Sequence, residues 1–470
     1  MLFNTTTFAV FFATFFVAWV LLRRWHVAQN VLLLLASWVF YGWWDARFLG
    51  LLGFSALVDY GVGRALGGTE DPRRRRAWIT VSVATQLSIL GFFKYFGFFV
   101  DSARAALATI GVDVPAPALE IVLPVGVSFY TFQTMSYTID VYRRKIAPER
   151  SLLAFAAFAS MFPQLVAGPI ERGSDMLPQL HRRRELSLAR LYEGSWLILW
   201  GLFKKVFVAD NAATIVDLAF GDAGALSRGE AALGLYAFAL QIYGDFSGYT
   251  DIARGTAKML GFDFRLNFAR PYLAVDPSDF WRRWHISLSS WLRDYLYVSL
   301  GGNRRGAWLT ARNLILTMLL GGLWHGASWT FVLWGGYHGA LLVAHRALSP
   351  LLRRLPGHDS SLYRLVARLS VFHLVVFGWL PFRAPTLHEV GAFASALVQG
   401  GAGGVVPPNG WTRLAGLACL VVLHDLAEER WPDPVARLPA PLRAVVYVIV
   451  VIGLVVAGAP GGQSFLYFQF

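Results

Sequence analysis

The chain has 470 residues, of which 56% are hydrophobic and only 15% charged, with a mean hydropathy of +0.49. Soluble domains carry roughly 45–50% apolar and about 25% charged residues, so this balance excludes a soluble globular protein and points to a polytopic membrane protein. The net charge of +13 suits arginine-rich loops retained on the cytoplasmic side of a bilayer, and no nucleic-acid partner is expected.

The first apolar run, about 5–22, has no basic residue before it and no small-residue cleavage site, and Arg23 and Arg24 follow it. It reads as an uncleaved first span with the N-terminus outside. Further runs fall at about 28–45, 48–66, 78–101 and 119–141, each near the ~20 residues that cross a bilayer. Simple alternation puts Arg23–Arg24, the Arg73–Arg76 run and the Arg143–Arg144–Lys145 cluster on one side, which is therefore cytoplasmic. The loop 102–118 then lies outside. "LLAFAAFASMFPQLVAGPIER" is apolar but broken by Pro163, Gly168 and Pro169 and followed by His181–Arg184. Such a segment dips into the membrane and returns, and irregular backbone is tolerated there only beside protein or a cavity. Later spans fall near 191–218, 231–250, 307–328, 330–348, 364–382, 411–427 and 441–459. The stretch 251–306 mixes Arg265, Arg270, Arg282, Arg283, Arg293, Arg304 and Arg305 with aromatics and reads as cytoplasmic amphipathic and re-entrant helices. Residues 383–410 form the longest extracytoplasmic loop. The whole chain, 1–470, reads as one membrane-embedded unit. Its single cysteine, Cys419, lies in an apolar run, so no internal disulfide is possible.

Ionisable groups at membrane depth usually face a protein interior or a water cavity. His325, in "GGLWHGASW", is bracketed by Gly321, Gly322 and Gly326, which permit close approach, and by Trp324 and Trp329. A satisfied core histidine is the bland alternative, yet imidazole is the side chain best suited to proton transfer near neutral pH. His285 lies in "DFWRRWHISLSSWLRDYLY" with Trp281, Trp284, Arg282, Arg283, Arg293 and Asp294. An interfacial aromatic belt explains the tryptophans. A pocket for a phosphorylated, purine-bearing donor such as coenzyme A explains the arginines as well. Asp245 and Asp251 are six apart and share no helical face, so structural hydrogen bonding is expected of both. The polar row Ser128, Thr131, Gln133, Ser136, Thr138 and Asp140 reads as glue between helices. His338 and His345, seven apart, raise a metal site, but no carboxylate or cysteine joins them at ligand spacing, and no metal is expected. No G-x-S-x-G, P-loop or G-x-G-x-x-G occurs.

"LPVGVSFYTFQTMSYTIDVYRRK", "MFPQLVAGPIER", "QIYGDFSGYTDIARGTAKMLGFDFRLNFARPY", "DFWRRWHISLSSWLRDYLY" and "GGLWHGASWTFVLWGGYHG", in that order, resemble the membrane-bound O-acyltransferases. The branch most alike is that of bacterial proteins that O-acetylate alginate and other exported polysaccharides, and the closing "FLYFQF" fits it too. The similarity is densest from about 120 to 345, the expected catalytic core. The resemblance implies an all-α fold: a ring of about 11–12 transmembrane helices, with re-entrant and cytoplasmic amphipathic helices, around a central tunnel. It implies that His325 is the essential intramembrane histidine and His285 the second, cytoplasm-facing one.

From this follows an expected acyl transfer, most simply of acetyl from acetyl-CoA or another cytoplasmic thioester used as substrate, with no bound cofactor. His325 would be the base, and His285 would orient the donor near the cytoplasmic mouth. Trp324, Gly322, Gly326, Trp284, Arg282, Arg283 and Asp245 would bind the donor or line the tunnel. The acceptor would be an exported polysaccharide, or an extracytoplasmic acetyltransferase partner protein, at the bacterial inner membrane. Three alternatives stay open. One is D-alanyl or peptidoglycan acyl transfer within the same family; the others are a non-catalytic transporter of an acyl carrier and a scaffold for polysaccharide export.

Overall fold

The computed structural model describes residues 1–115, 119, 121–358, 360–431, 433, 435–459 and 465–466. The end of the loop 102–118 and residues 467–470 of the closing motif thus lie outside the described residues. The protein is helical, with no strand among the described residues. Among the described residues, five helical stretches are long and apolar enough to cross a bilayer: His26–Gly67, Pro72–Ala108, Ser361–Arg383, Gly410–Arg430 and Ala440–Ala457. This is a multi-pass membrane protein.

Two compact units partition the chain, residues 1–195 with 253–265 and residues 196–252 with 266–470. The first contains α1 (Thr6–Leu21), α2 (His26–Asp45), α3 (Leu49–Gly67), α4 (Pro72–Leu90), α5 (Phe96–Ala108), α6 (Val127–Tyr142), α7 (Leu152–Ser160), α8 (Phe162–Leu165) and α9 (Gly173–Leu180). A wide helical turn, Gly91–Tyr95, joins α4 to α5. Polar side chains knit α3, α4 and α6 together. Ser82 and Gln86 donate to the Asp59 carboxylate at 2.6 and 2.9 Å, and Ser82 lies 2.8 Å from the Thr138 hydroxyl. Inside lipid such bonds have no water to compete with them. Of the polar row on α6, Thr138 and Gln133 reach other helices, whereas Thr131 and Ser136 bond carbonyls of their own helix. Arg75 fastens one end of this group, donating to the carbonyls of Leu66, Thr69, Val141 and Tyr142.

The broken apolar segment is the buried α7–α8–α9 stretch. Pro163 opens the short α8, and Met161, whose backbone leaves the helical region, separates it from α7. The groups freed by the break find partners: Phe162 N–H donates to Ser37 Oγ at 3.0 Å, and Phe158 carbonyl accepts from Gln133 and Gln164. That satisfaction is what allows irregular backbone at depth.

The second unit draws on α10 (Leu188–Leu202), α11 (Asp210–Gly221) and α12 (Arg228–Met259), with α10 and α12 also giving residues to the first. It continues with α13 (Pro277–Arg283), α14 (Ile286–Trp291), α15 (Gly306–His325), α16 (Trp329–Leu352), α17 (Ser361–Arg383), α18 (Leu387–Val398), α19 (Gly410–Arg430) and α20 (Ala440–Ala457). Wide turns at Phe203–Ala209 and Leu292–Tyr297 extend α10 and α14. Glycine sets the spacing of α15 against α16. A Cβ on Gly322 would lie 2.1 Å from Phe331 carbonyl oxygen, and one on Gly335 2.3 Å from that of Met318.

The stretch 383–410, expected as a loop, contains α18. Thr386 caps it by accepting from Glu389 N–H, and Phe393, stacked on Phe220 with ring centroids 4.4 Å apart, buries its inner face. Twelve residues cannot span a bilayer, which hid the helix from a reading tuned to spans. Beyond it, Glu230 clamps the return. Its carboxylate accepts from Ser227 N–H and Oγ, and from the N–H groups of Gly404 and Val406. Desolvation works against the charge, yet the donors Val406, Ser227 and Gly404 outweigh it and hold the Glu230 pKa down at about 2. A depressed carboxylate pKa gives stability that is full above the ordinary value of 4.5 and is lost as pH falls towards the folded value. The protection factors of Gly404 and Val406, taken against the intrinsic exchange rate at each pH, should therefore be high at pH 6, fall as pH drops below 4.5 towards 2, and be small at pH 6 in Glu230→Ala. Equal protection in that variant would mean the clamp contributes nothing.

Candidate active site

His325 is the last residue of α15. Gly326 leaves the helix in extended conformation, and Ser328 caps α16 by accepting from Thr330 N–H. The turn is thus a C-terminal glycine followed by a serine cap, and it fixes the imidazole at the foot of the α15–α16 hairpin. His325 is only 4% exposed. Its ring meets Trp324, Trp334 and Phe382 edge-on, with centroids 5.1, 5.0 and 5.4 Å away.

His285 joins α13 to α14. Pro277 and the Asp276 cap start α13, and the helix stops at Trp284, where the backbone turns extended. His285 then takes left-handed angles, φ 43° and ψ 55°, a conformation that costs a non-glycine residue about 1–2 kcal/mol. Asn267 holds it there. Its Oδ1 lies 3.2 Å from His285 Nδ1 and accepts from Ser287 N–H and Oγ, while its carbonyl accepts from Ile286 N–H. The result brings two histidines forty residues apart in sequence to a centroid distance of 6.1 Å.

A cavity of about 290 Å³ opens beside His325, with Trp281, Arg282, Arg293, Gly321 and Trp334 among its lining residues. A largely apolar slot with a few convergent polar groups is the usual form of a small-molecule site. His325 and Arg282 are on its wall, together with Arg293. His285 is fully buried and is not among the residues that line this cavity.

The remaining candidates separate by what they touch. Trp284 is enclosed by Phe268, Phe280 and Trp379, and Trp324 packs between the two histidines. A Cβ on Gly326 would strike the Phe331 ring, so Gly322 and Gly326 serve helix approach, and Gly321 is the glycine that borders the cavity. Arg283 bonds Asp279 at 3.0 Å. Asp245 accepts from Lys205 at 2.7 Å and from Leu466 N–H, and Asp251 from Lys204 at 2.6 Å. These are the structural bonds expected of both aspartates.

Sequence reasoning missed Asn267, which signals itself only through its contacts. His338 is buried among Phe280, Trp281 and Trp334, apart from His345. Among the described residues, one group of three with metal-ligand chemistry exists, His424, Asp425 and Glu428, with ligand atoms within 4.8 Å of one another. Tyr243 hydroxyl already donates to Asp425 there, at 2.9 Å.

The membrane-bound O-acyltransferase family profile matches residues 143–377. The chain is 40% identical to the probable alginate O-acetylase AlgI of Pseudomonas putida over 94% of both chains. It is 35% identical to the peptidoglycan O-acetyltransferase of Helicobacter pylori, over 83% of this chain and 78% of that one. It is 25% identical to the teichoic acid D-alanyltransferase of Bacillus subtilis, over 56% of this chain and 69% of that one.

Proposed function

The chain belongs to the membrane-bound O-acyltransferase family, and from that premise we propose that it carries an acetyl group from a cytoplasmic acetyl-CoA to a hydroxyl on the far side of the membrane. The acceptor is an exported polysaccharide, alginate being the first candidate, or an extracytoplasmic partner protein that completes the transfer. The observation that carries the reading is His325, buried on the wall of a cavity that also holds Arg282 and Arg293. The protein sits in the bacterial inner membrane with its N-terminus outside, and residues 1–470 act as one membrane-embedded acyltransferase.

In this mechanism His325 accepts the proton of the acceptor hydroxyl as its oxygen attacks the thioester carbonyl. The tetrahedral oxyanion collapses, the carbon–sulfur bond breaks, and the thiolate leaves with the proton that His325 held. The product is an ester and free coenzyme A. His285, tied to Asn267, fixes the aromatic wall on which His325 and Trp324 lie.

The test is thioester turnover. Protein in lipid nanodiscs receives radiolabelled acetyl-CoA with oligomeric alginate, and free coenzyme A and labelled sugar are followed. Release of coenzyme A with label on the polysaccharide or on protein supports the proposal. An intact thioester with every candidate acceptor would turn the reading towards a carrier-protein donor or a transporter.

A further inference from the structure

α19 turns an apolar stripe inward. Gly410, Leu414, Leu417 and Val421 are buried and follow one another at four, three and four residues, the spacing of one helical face. Carried on by three and then four, the same stripe passes through His424 and Glu428, with Asp425 at its edge. The inward row of an apolar helix thus ends in an imidazole and two carboxylates. Ionisable groups in such positions are costly and need a partner.

The protein supplies little of one. The three half-buried side chains each bring a ligand atom to within 4.8 Å of the others. His424 Nδ1 is buried and makes no hydrogen bond among the described residues. Its 3.8 Å approach to Asp425 Oδ1 is too long for one. Among the described residues, no lysine or arginine forms an ion pair with Asp425 or Glu428. Cations are nonetheless close by. Glu429 pairs with Arg368, and Arg270 donates to the Glu428 backbone carbonyl rather than to its carboxylate. Two carboxylates held together repel one another, and partial burial strengthens the repulsion.

What the group offers instead is a donor set. One imidazole nitrogen and two carboxylate oxygens are zinc ligands, and ligands about 2.0–2.2 Å from a tetrahedral zinc stand roughly 3.4 Å apart. Small rotations of the carboxylates reach that spacing. One zinc ion cancels both negative charges, whereas magnesium and calcium take oxygen ligands and would leave the imidazole unused. Neighbouring side chains orient the set as an outer shell does. Tyr243 hydroxyl donates to Asp425 Oδ2 at 2.9 Å, and the Trp200 ring lies 4.4 Å from that of His424, centroid to centroid. Side-chain exposures of 17% at His424 and 14% at Asp425 leave the ion a way in. We propose that His424, Asp425 and Glu428 bind a structural zinc ion, which fastens the end of α19 to α10 and α12 through Trp200 and Tyr243. Tyr243 also packs on Phe268 and Trp284, so the clamp backs the aromatic layer beside His285. The expectation of no metal rests on His338 and His345, which take no part in this group.

The test uses the full-length protein, free of any histidine tag, in lipid nanodiscs, stripped by a chelator and titrated with zinc alone. The expected result is one zinc per chain that survives gel filtration, and a melting temperature that rises with zinc by mass action. Asp425→Asn/Glu428→Gln should weaken binding about a hundred-fold or more and lose that rise, and Tyr243→Phe should weaken it about ten-fold. Glu428→Gln alone repeats the test on the ligand with no hydrogen bond to lose, so its metal-free form should melt no lower than metal-free wild type. Glu429→Gln, outside the group, should bind zinc as wild type does. No stoichiometric zinc in wild type, or equal binding in the double variant, would overturn the proposal. So would displacement of zinc by an equal concentration of magnesium or calcium, which would make this an oxygen-ligand site with the histidine a bystander.

Discussion

Replacing His325 by alanine should lower acetyl-CoA turnover by about two to four orders of magnitude, the usual contribution of a positioned general base, while binding of coenzyme A persists. The split follows from placement. His325 is one group on a wall whose other members, Arg282 and Trp281, are untouched by the change, so the donor keeps its contacts and only the proton acceptor is lost. The fold should survive because the α15–α16 hairpin is held by close backbone approach at Gly322 and Gly335, not by the imidazole. Some stability is still lost with the ring contacts to Trp334 and Phe382, since a buried void costs cavity energy. His325→Gln keeps volume and polarity but cannot take a proton, and separates the two effects. It should be as inactive as His325→Ala and melt closer to wild type. Turnover near wild type in either variant would remove His325 from the base role and shift attention to His285.

The helical, membrane-embedded character was legible because hydropathy and length act locally: a run of about twenty apolar residues announces itself. α18 was not, since its amphipathic face and its Thr386 cap are signs of a surface helix that a span search passes over. His325 stood out because an ionisable group among glycines and tryptophans is anomalous in any context. Its partnership with His285 depends on a left-handed residue held by Asn267, a tertiary fact with no periodic trace. Charge was legible as a total and not as a distribution. Counting arginines in 282–293 could not show that Arg283 and Arg293 find carboxylates four and one residues away. The same blindness applies to Lys204 and Lys205, whose positions inside an apolar span drew no comment, though each meets an aspartate forty or more residues away.

Lys205→Met should be the most destabilising single change in the second unit, at about 3–5 kcal/mol. Lys205 lies in the wide turn Phe203–Ala209 and is 1% exposed. Its ammonium is 2.7 Å from Asp210 Oδ1 and 2.7 Å from Asp245 Oδ1, and the Phe465 ring covers it at 4.6 Å. Asp245 in turn accepts Leu466 N–H at 2.9 Å, so one cation joins the start of α11, the middle of α12 and the residues near the C-terminus. Methionine fills the space but leaves two carboxylates facing each other in a dry interior, and the cost comes from that uncompensated charge rather than from lost packing. Two comparisons isolate the cause. Lys205→Met/Asp245→Asn/Asp210→Asn removes all three charges and should recover much of the loss. Lys204→Met breaks a pair whose aspartate is partly exposed, 14% at Asp251, and should cost less because water can reach the orphaned charge. Thermal unfolding of the detergent-solubilised protein, followed by tryptophan fluorescence, decides it. A triple variant no more stable than Lys205→Met would show that the lysine acts through packing and hydrogen-bond geometry and not through its charge.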